Sequence, residues 1–326
     1  MEPPLNVPLP TANFTKRFEM DYYKINEGLW RAKSRVEDPI YKVIVTLDMS
    51  VPDFLVVDSS AQMFRYPHRG CEKAADKIKV LKGADLRGPF RDLLRREYQG
   101  PKGCETIFNL VNLSGRTFVM AYLGQQRAIG NITHEQFSSW SGGMNCVAAL
   151  DGGHGHFSEE DVVPVVKPPE DVSKSTGPPC GESEPVFGRI LVVEYFDLSE
   201  ELWRARARVE DSGHHLIVSL DVSTADLTVQ DTDVTFLRQP FTACGSLQHQ
   251  IKKMNAACLA VDFRQKAAQH FVGMQGCGNI YVMLSAIYHG FLQFYLWRNT
   301  AMGRITPEQA ALCKKGLQEN CIACGL

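Results

Sequence analysis

The chain has 326 residues, about twice the size of a typical single domain, so two domains are expected. Its 44% hydrophobic and 22% charged content is that of a globular protein and excludes a disordered tail, a collagen-like fibre and a disulfide-stapled mini-domain. Lys+Arg 35 against Asp+Glu 37 leaves a formal charge of -2, which provides no electrostatic footprint for general nucleic-acid binding.

The N-terminal Met-Glu-Pro-Pro-Leu-Asn lacks the basic and apolar regions of a signal peptide, so a reducing cytoplasm and unbridged thiols are expected for the ten cysteines. Along the chain, Trp30–Glu37 alternates Trp, Ala, Ser, Val with Arg, Lys, Arg, Glu, the pattern of a half-solvated antiparallel strand. Asp38-Pro39 supplies turn chemistry, and the β-branched Tyr41–Leu47 and the partly alternating Phe54–Phe64 follow as strands. Asp48 and Asp53 read as turn-capping carboxylates, and Trp30 as a core anchor of the sheet. After Pro67 the spacing becomes helical over Cys71–Leu81 and Arg87–Tyr98. A third helix opens at Gly103-Cys104 and continues through Leu113. Strands followed by helices predict an α+β domain, an antiparallel meander sheet covered by helices.

The same order then returns. Phe14 to Gln136 aligns without a gap with Phe187 to Gln309 at a shift of 173, with 41 identities in 123 columns. Leu29-Trp30-Arg31-Ala32 recurs as Leu202-Trp203-Arg204-Ala205, Asp38 as Asp211, Cys71 as Cys244, and Gly103-Cys104 as Gly276-Cys277. Such agreement means duplication of one fold. The expected organisation is a first repeat over 1–150, a Pro- and Gly-rich linker over 151–186 and a second repeat over 187–326. The two repeats are expected to dock about a pseudo-two-fold axis, because their apolar last helices need cover. The greasy run Ile280–Trp297, interrupted by Ser285, His289 and Gln293, reads as a buried core helix and not as a membrane span.

Chemistry concentrates on cysteine. Cys104 and Cys277 each open a helix after glycine, where unsatisfied N–H groups and the helix dipole favour thiolate and metal ligation. Cys71 and Cys244 also precede helices, so two thiols per copy can share a site. His68, three residues before Cys71, adds a ligand in copy one that Phe241 denies to copy two, which favours copy one as the metal-binding copy. Two Cys, a His and a carboxylate suit zinc or iron better than magnesium. Cys321-x-x-Cys324 is half of a second zinc site or a redox pair. No phosphate loop, nucleophile elbow or His-Glu-x-x-His motif occurs.

Glu27-Gly28-Leu29-Trp30, Val36-Glu37-Asp38, Leu47-Asp48, Tyr66-Pro67 before Cys71, and Gly103-Cys104 together resemble a bacterial family known only as the domain of unknown function numbered 2889. The second copy repeats most of these elements. The order of strand, hairpin with Asp, strands, Cys at a helix start and a second Cys at another is also similar to the NifU/IscU-type iron–sulfur scaffold. That resemblance implies metal or cluster ligands at Asp38, Cys71 and Cys104, and at Asp211, Cys244 and Cys277. Val36-Glu37 stands where that family has a further Cys, and Gly-Cys replaces its His-Cys, which leaves a mononuclear site or an inert relic of the fold. The expected function is a zinc-, iron- or iron–sulfur-binding scaffold or carrier. Two alternatives stand beside it: an enzyme with a metal or thiolate at the inter-domain cleft, and a non-catalytic binding or assembly module.

Overall fold

The computed structural model describes residues 11–67, 71–88, 90–98, 103–133, 136, 184–239, 242–273 and 276–318. In the first repeat four strands, β1 (Phe14–Asn26), β2 (Leu29–Glu37), β3 (Lys42–Ser50) and β4 (Val56–Arg65), precede α1 (Glu72–Asp76), which a 3-10 turn continues over Lys77–Leu81. Helices α2 (Phe90–Tyr98) and α3 (Glu105–Ala128) follow. The second repeat gives β5 (Phe187–Asp197), β6 (Leu202–Glu210), β7 (His215–Ser223) and β8 (Val229–Arg238). Its helices are α4 (Leu247–Gln250), α5 (Phe263–Phe271), α6 (Gly278–Ala301) and α7 (Pro307–Gln318).

The alternation read in β2 holds: Trp30, Ala32, Ser34 and Val36 are buried, while Arg31, Lys33 and Arg35 face the other way. That second face is laced by cross-strand pairs. Arg31 grips Asp48 through two hydrogen bonds of 2.7 and 2.9 Å, and Arg204 grips Asp221 at 2.6 and 2.7 Å. Asp48, expected to cap a turn, is therefore a mid-strand partner of arginine, because the pleat sets it directly opposite Arg31. Trp30 and Trp203 are buried as expected, against Phe118 and Tyr122 and against Phe291, Phe294 and Tyr295 respectively.

Strand β1 escaped the sequence reading, since Lys16 interrupts its apolar alternation, yet it joins the molecule together. The strand order is β4-β3-β2-β1-β5-β6-β7-β8, one antiparallel sheet of eight strands in place of two separately closed domains. Phe18 pairs with Leu191, its own counterpart in the other repeat, and the register runs outward symmetrically from Phe14 against Tyr195 to Tyr22 against Phe187. The edges that β1 and β5 would expose in isolated repeats thereby satisfy each other. The long helices α3 and α6 pack on the buried face and against one another. No described helix is long and apolar enough to cross a membrane.

Each central strand is tied to its own long helix. The Tyr22 hydroxyl donates to the Ser114 carbonyl and the Tyr195 hydroxyl to that of Ile287, both at 2.9 Å and both buried. Gly290 is required here, because a Cβ on it would stand 2.1 Å from the Tyr195 hydroxyl. Gly290→Ala is expected to cost about 1–3 kcal/mol despite the better helix propensity of alanine. Tyr195→Phe in the same chain should recover part of that loss. Urea unfolding of the two single variants and the double variant measures the coupling, and strictly additive effects would contradict the contact.

Candidate functional site between the repeats

The hairpin aspartates come first, since their geometry decides what they can hold. Asp38 Oδ1 accepts the N–H groups of Ile40 and Tyr41 at 2.7 and 2.6 Å, and Oδ2 meets the buried Lys16 ammonium at 3.1 Å. Asp211 Oδ1 accepts from Gly213 and His214 at 2.9 and 2.8 Å, and Oδ2 meets Arg189 at 3.1 Å. Burial opposes ionisation of Asp211, but Arg189, His214 and the Gly213 N–H hold its carboxyl well below the usual carboxylate range. Both aspartates are thus spent on turn closure and on an internal cation.

The cysteines sit where the sequence placed them, at helix starts, and are buried. None of the six described cysteines forms a disulfide. A packing reason accompanies the Gly-Cys pairs: a Cβ on Gly103 would lie 2.2 Å from Tyr98 Cα, and one on Gly276 2.3 Å from the backbone of Phe271. The chain must cross the end of the preceding helix before turning into α3 or α6. Among the described residues no group of three or more His, Cys, Asp or Glu is gathered to hold a metal ion. Asp38 and Asp211 as they stand do not fit a metal or cluster, because their oxygens are engaged and cations flank them. His68, Cys321 and Cys324 lie outside the described residues. Burial pushes the Cys313 thiol up to about 12, as befits a core residue.

What the structure does assemble is a cavity of about 480 Å³ between the repeats. Copy one supplies a wall from α3, including Arg116, Thr117, Ala121 and Gly124. Copy two supplies Phe187, Arg189, the hairpin Asp211 to His214, Cys244, and the start of α6 at Cys277, Gly278 and Asn279. The copy-two members of the expected set, Asp211, Cys244 and Cys277, therefore share one wall, although the extra histidine had favoured copy one. Exposed Met120 and Val186 carry the cavity to the surface.

The cavity exists because the two repeats differ at a few positions around their shared axis. In the other half, Glu105 at the start of α3 meets His289 in the middle of α6 at 2.8 Å, both buried. The Phe294 ring stacks on Phe14 with centroids 4.6 Å apart, and the Gln293 amide donates to the Tyr41 hydroxyl at 3.4 Å. At the shift of 173 the counterparts of Glu105, His289, Phe294 and Trp297 are Gly278, Arg116, Ala121 and Gly124. A carboxylate and two large rings are thus replaced by glycine, alanine and glycine, and space opens. These positions were not singled out from sequence, where attention fell on residues the copies share. The signal was present in the residues they do not share.

The electrostatics of the two halves differ as well. Burial raises the Glu105 pKa, but His289, Arg264 and Arg91 outweigh it and hold the carboxyl below its ordinary value. Across the cavity Arg116 is half-buried and, among the described residues, has no ion-pair partner. Burial first, then Arg91 and Arg189 nearby, bring its pKa down to about 10. Arg189 is anchored in three directions, donating to Thr117 Oγ1 at 3.0 Å and to Asn279 Oδ1 while it meets Asp211.

A family described as "Protein of unknown function (DUF2889)" matches residues 19–119 and again 195–291, one match in each repeat. No curated protein and no solved structure matches the chain.

Exchanging the large and small side chains should change stability in opposite directions. Phe294→Ala is expected to cost about 3–5 kcal/mol. Ala121→Phe, which fills the open half, should stabilise by about 0.5–2 kcal/mol. Denaturant midpoints decide, and a destabilising Ala121→Phe would contradict the cavity. A pH effect follows from His289, which burial holds below the usual imidazole range despite Glu105. The unfolded chain binds this proton where the folded chain does not, so stability falls as pH drops below about 6.5. His289→Gln should flatten the curve between about pH 6.5 and 5. His215 and His270 tilt it the same way from more exposed positions and keep a residual slope.

Proposed function

The chain belongs to the DUF2889 family of proteins of unknown function through both of its repeats, and from its cavity we propose that it binds a small, largely apolar organic molecule. The observation that carries this reading is the cavity of about 480 Å³, within the range of small-molecule sites and placed at a junction between repeats, where such sites concentrate. Its walls combine aromatic and aliphatic groups, among them Trp30, Phe118, Phe187 and Phe236, with a few convergent polar ones. The filled half shows how the same backbone closes when no space is needed, which makes the open half a feature kept at some cost in stability.

The neutral apolar dye N-phenyl-1-naphthylamine tests the reading. One dye per chain should bind with a rise in fluorescence, and Ala121→Phe should abolish it while the protein stays folded by circular dichroism. Absence of binding by the parent protein, or undiminished binding by the filled variant, would sink the reading.

A second reading rests on the common wall of Cys244 and Cys277: a scaffold or carrier of zinc or iron of the NifU/IscU kind, with these thiols as ligands. The guanidinium groups of Arg116 and Arg189, which line the same cavity, oppose a cation, which ranks this reading second. Stoichiometric metal in untagged protein, lost in Cys244→Ser/Cys277→Ser, would reverse the ranking.

A further inference from the structure

We propose that the ligand of this cavity carries a carboxylate, seated between Arg116 and the first turn of α6, where Glu105 provides the protein's own carboxylate in the other half. The inference rests on the binding reading above and adds the chemical class of the ligand and its orientation.

The two halves provide the comparison. Where the chain keeps a carboxylate at the start of the long helix, it is gripped by the facing residue of the opposite helix, Glu105 against His289 at 2.8 Å. Where that carboxylate is absent, at Gly278, the facing residue is Arg116, a permanent cation. The exchange is coupled: the anion has gone, and an imidazole has given way to a guanidinium that is always charged. Arg116 and Gly278 line the same cavity, so the place of the missing carboxylate is open space.

Among the described residues no carboxylate pairs with that cation. Asp211, the carboxylate in the cavity wall, is engaged by Arg189, and Arg91 adds a third guanidinium to the neighbourhood of Arg116. A half-buried arginine with two others nearby is costly, and a charge-assisted bond to an incoming carboxylate would offset that cost. The first turn of α6 supports the same seat. No acidic residue stands in that turn, whereas α3 has Glu105 in its own. Helix N–H groups and the dipole favour an anion there. Away from this end the wall is made by Trp30, Phe118, Phe187 and Phe236, which suits an apolar body. The class is therefore an acid with a hydrocarbon or aromatic tail.

The test compares decanoate with decan-1-ol, which share a chain and differ in the head group, as competitors of N-phenyl-1-naphthylamine on the full-length protein. Decanoate should displace the dye at a concentration at least about tenfold lower than decanol, the size expected for a charge-assisted pair in a partly buried site. Arg116→Met should remove that preference and leave decanol unchanged. Gly278→Glu, which gives this half the carboxylate of the other, should block decanoate. If the two compounds compete equally with the parent protein, if neither displaces bound dye, or if decanoate keeps its advantage in Arg116→Met, the assignment is overturned. Failure of the dye itself to bind would instead overturn the binding reading on which it rests.

Discussion

The pairing of β1 with β5 is the constraint from which the rest of the architecture follows. Phe14 to Tyr22 runs antiparallel to Phe187 to Tyr195, with Phe18 opposite its own counterpart Leu191. This register turns two four-stranded meanders into one sheet whose edges, among the described strands, are β4 and β8. It also decides how the covering helices meet. Each central strand holds its own helix through a buried tyrosine, Tyr22 on α3 and Tyr195 on α6. The two helices consequently lie antiparallel, and the start of each faces the middle of the other. Glu105 meets His289 for that reason, and Gly278 lies across from Arg116 for the same one.

Duplication under such a constraint yields two equivalent places, and they have diverged. One is closed by a buried Glu105–His289 contact, a stacked pair of rings and an amide–hydroxyl bond. The other is emptied by small residues. A filled core contributes dispersion and hydrophobic stability, whereas an open one forgoes it. The closed half can support the common sheet while the open half keeps a cavity. A homodimer could not divide the work in this way, because every substitution would appear on both sides of the axis.

The Asp and Cys positions shared by the copies have a structural explanation that needs no metal. Asp38 and Asp211 close hairpins and anchor the buried Lys16 and Arg189. Gly103 and Gly276 let the chain cross the preceding helix, and Cys104 and Cys277 fill the buried space at the helix start. Agreement between repeats marks what both need in order to fold. The proposed binding site rests on what only one of them has.

Local pattern made the duplication, the alternating strands and the helix starts legible in the sequence. These depend on residues a few positions apart, and the chain carries that information directly. Strand β1 was not legible, because Lys16 occupies an apolar position and its counter-charge, Asp38, arrives from a later turn. The single sheet was not legible either. Two domains docked through helices and two domains fused through strands share the same periodicities, and the choice lies in a pairing centred on Phe18 and Leu191, far apart in the chain. The cavity was hidden for a related reason. Arg116, Ala121 and Gly124 are unremarkable on a helix, as is Gly278 on another, until the fold sets them around one volume. By itself the sequence determined which segments fold and that they do so twice; which residues face one another across the axis, and therefore where space and unpaired charge remain, was decided by long-range strand pairing that no local pattern encodes.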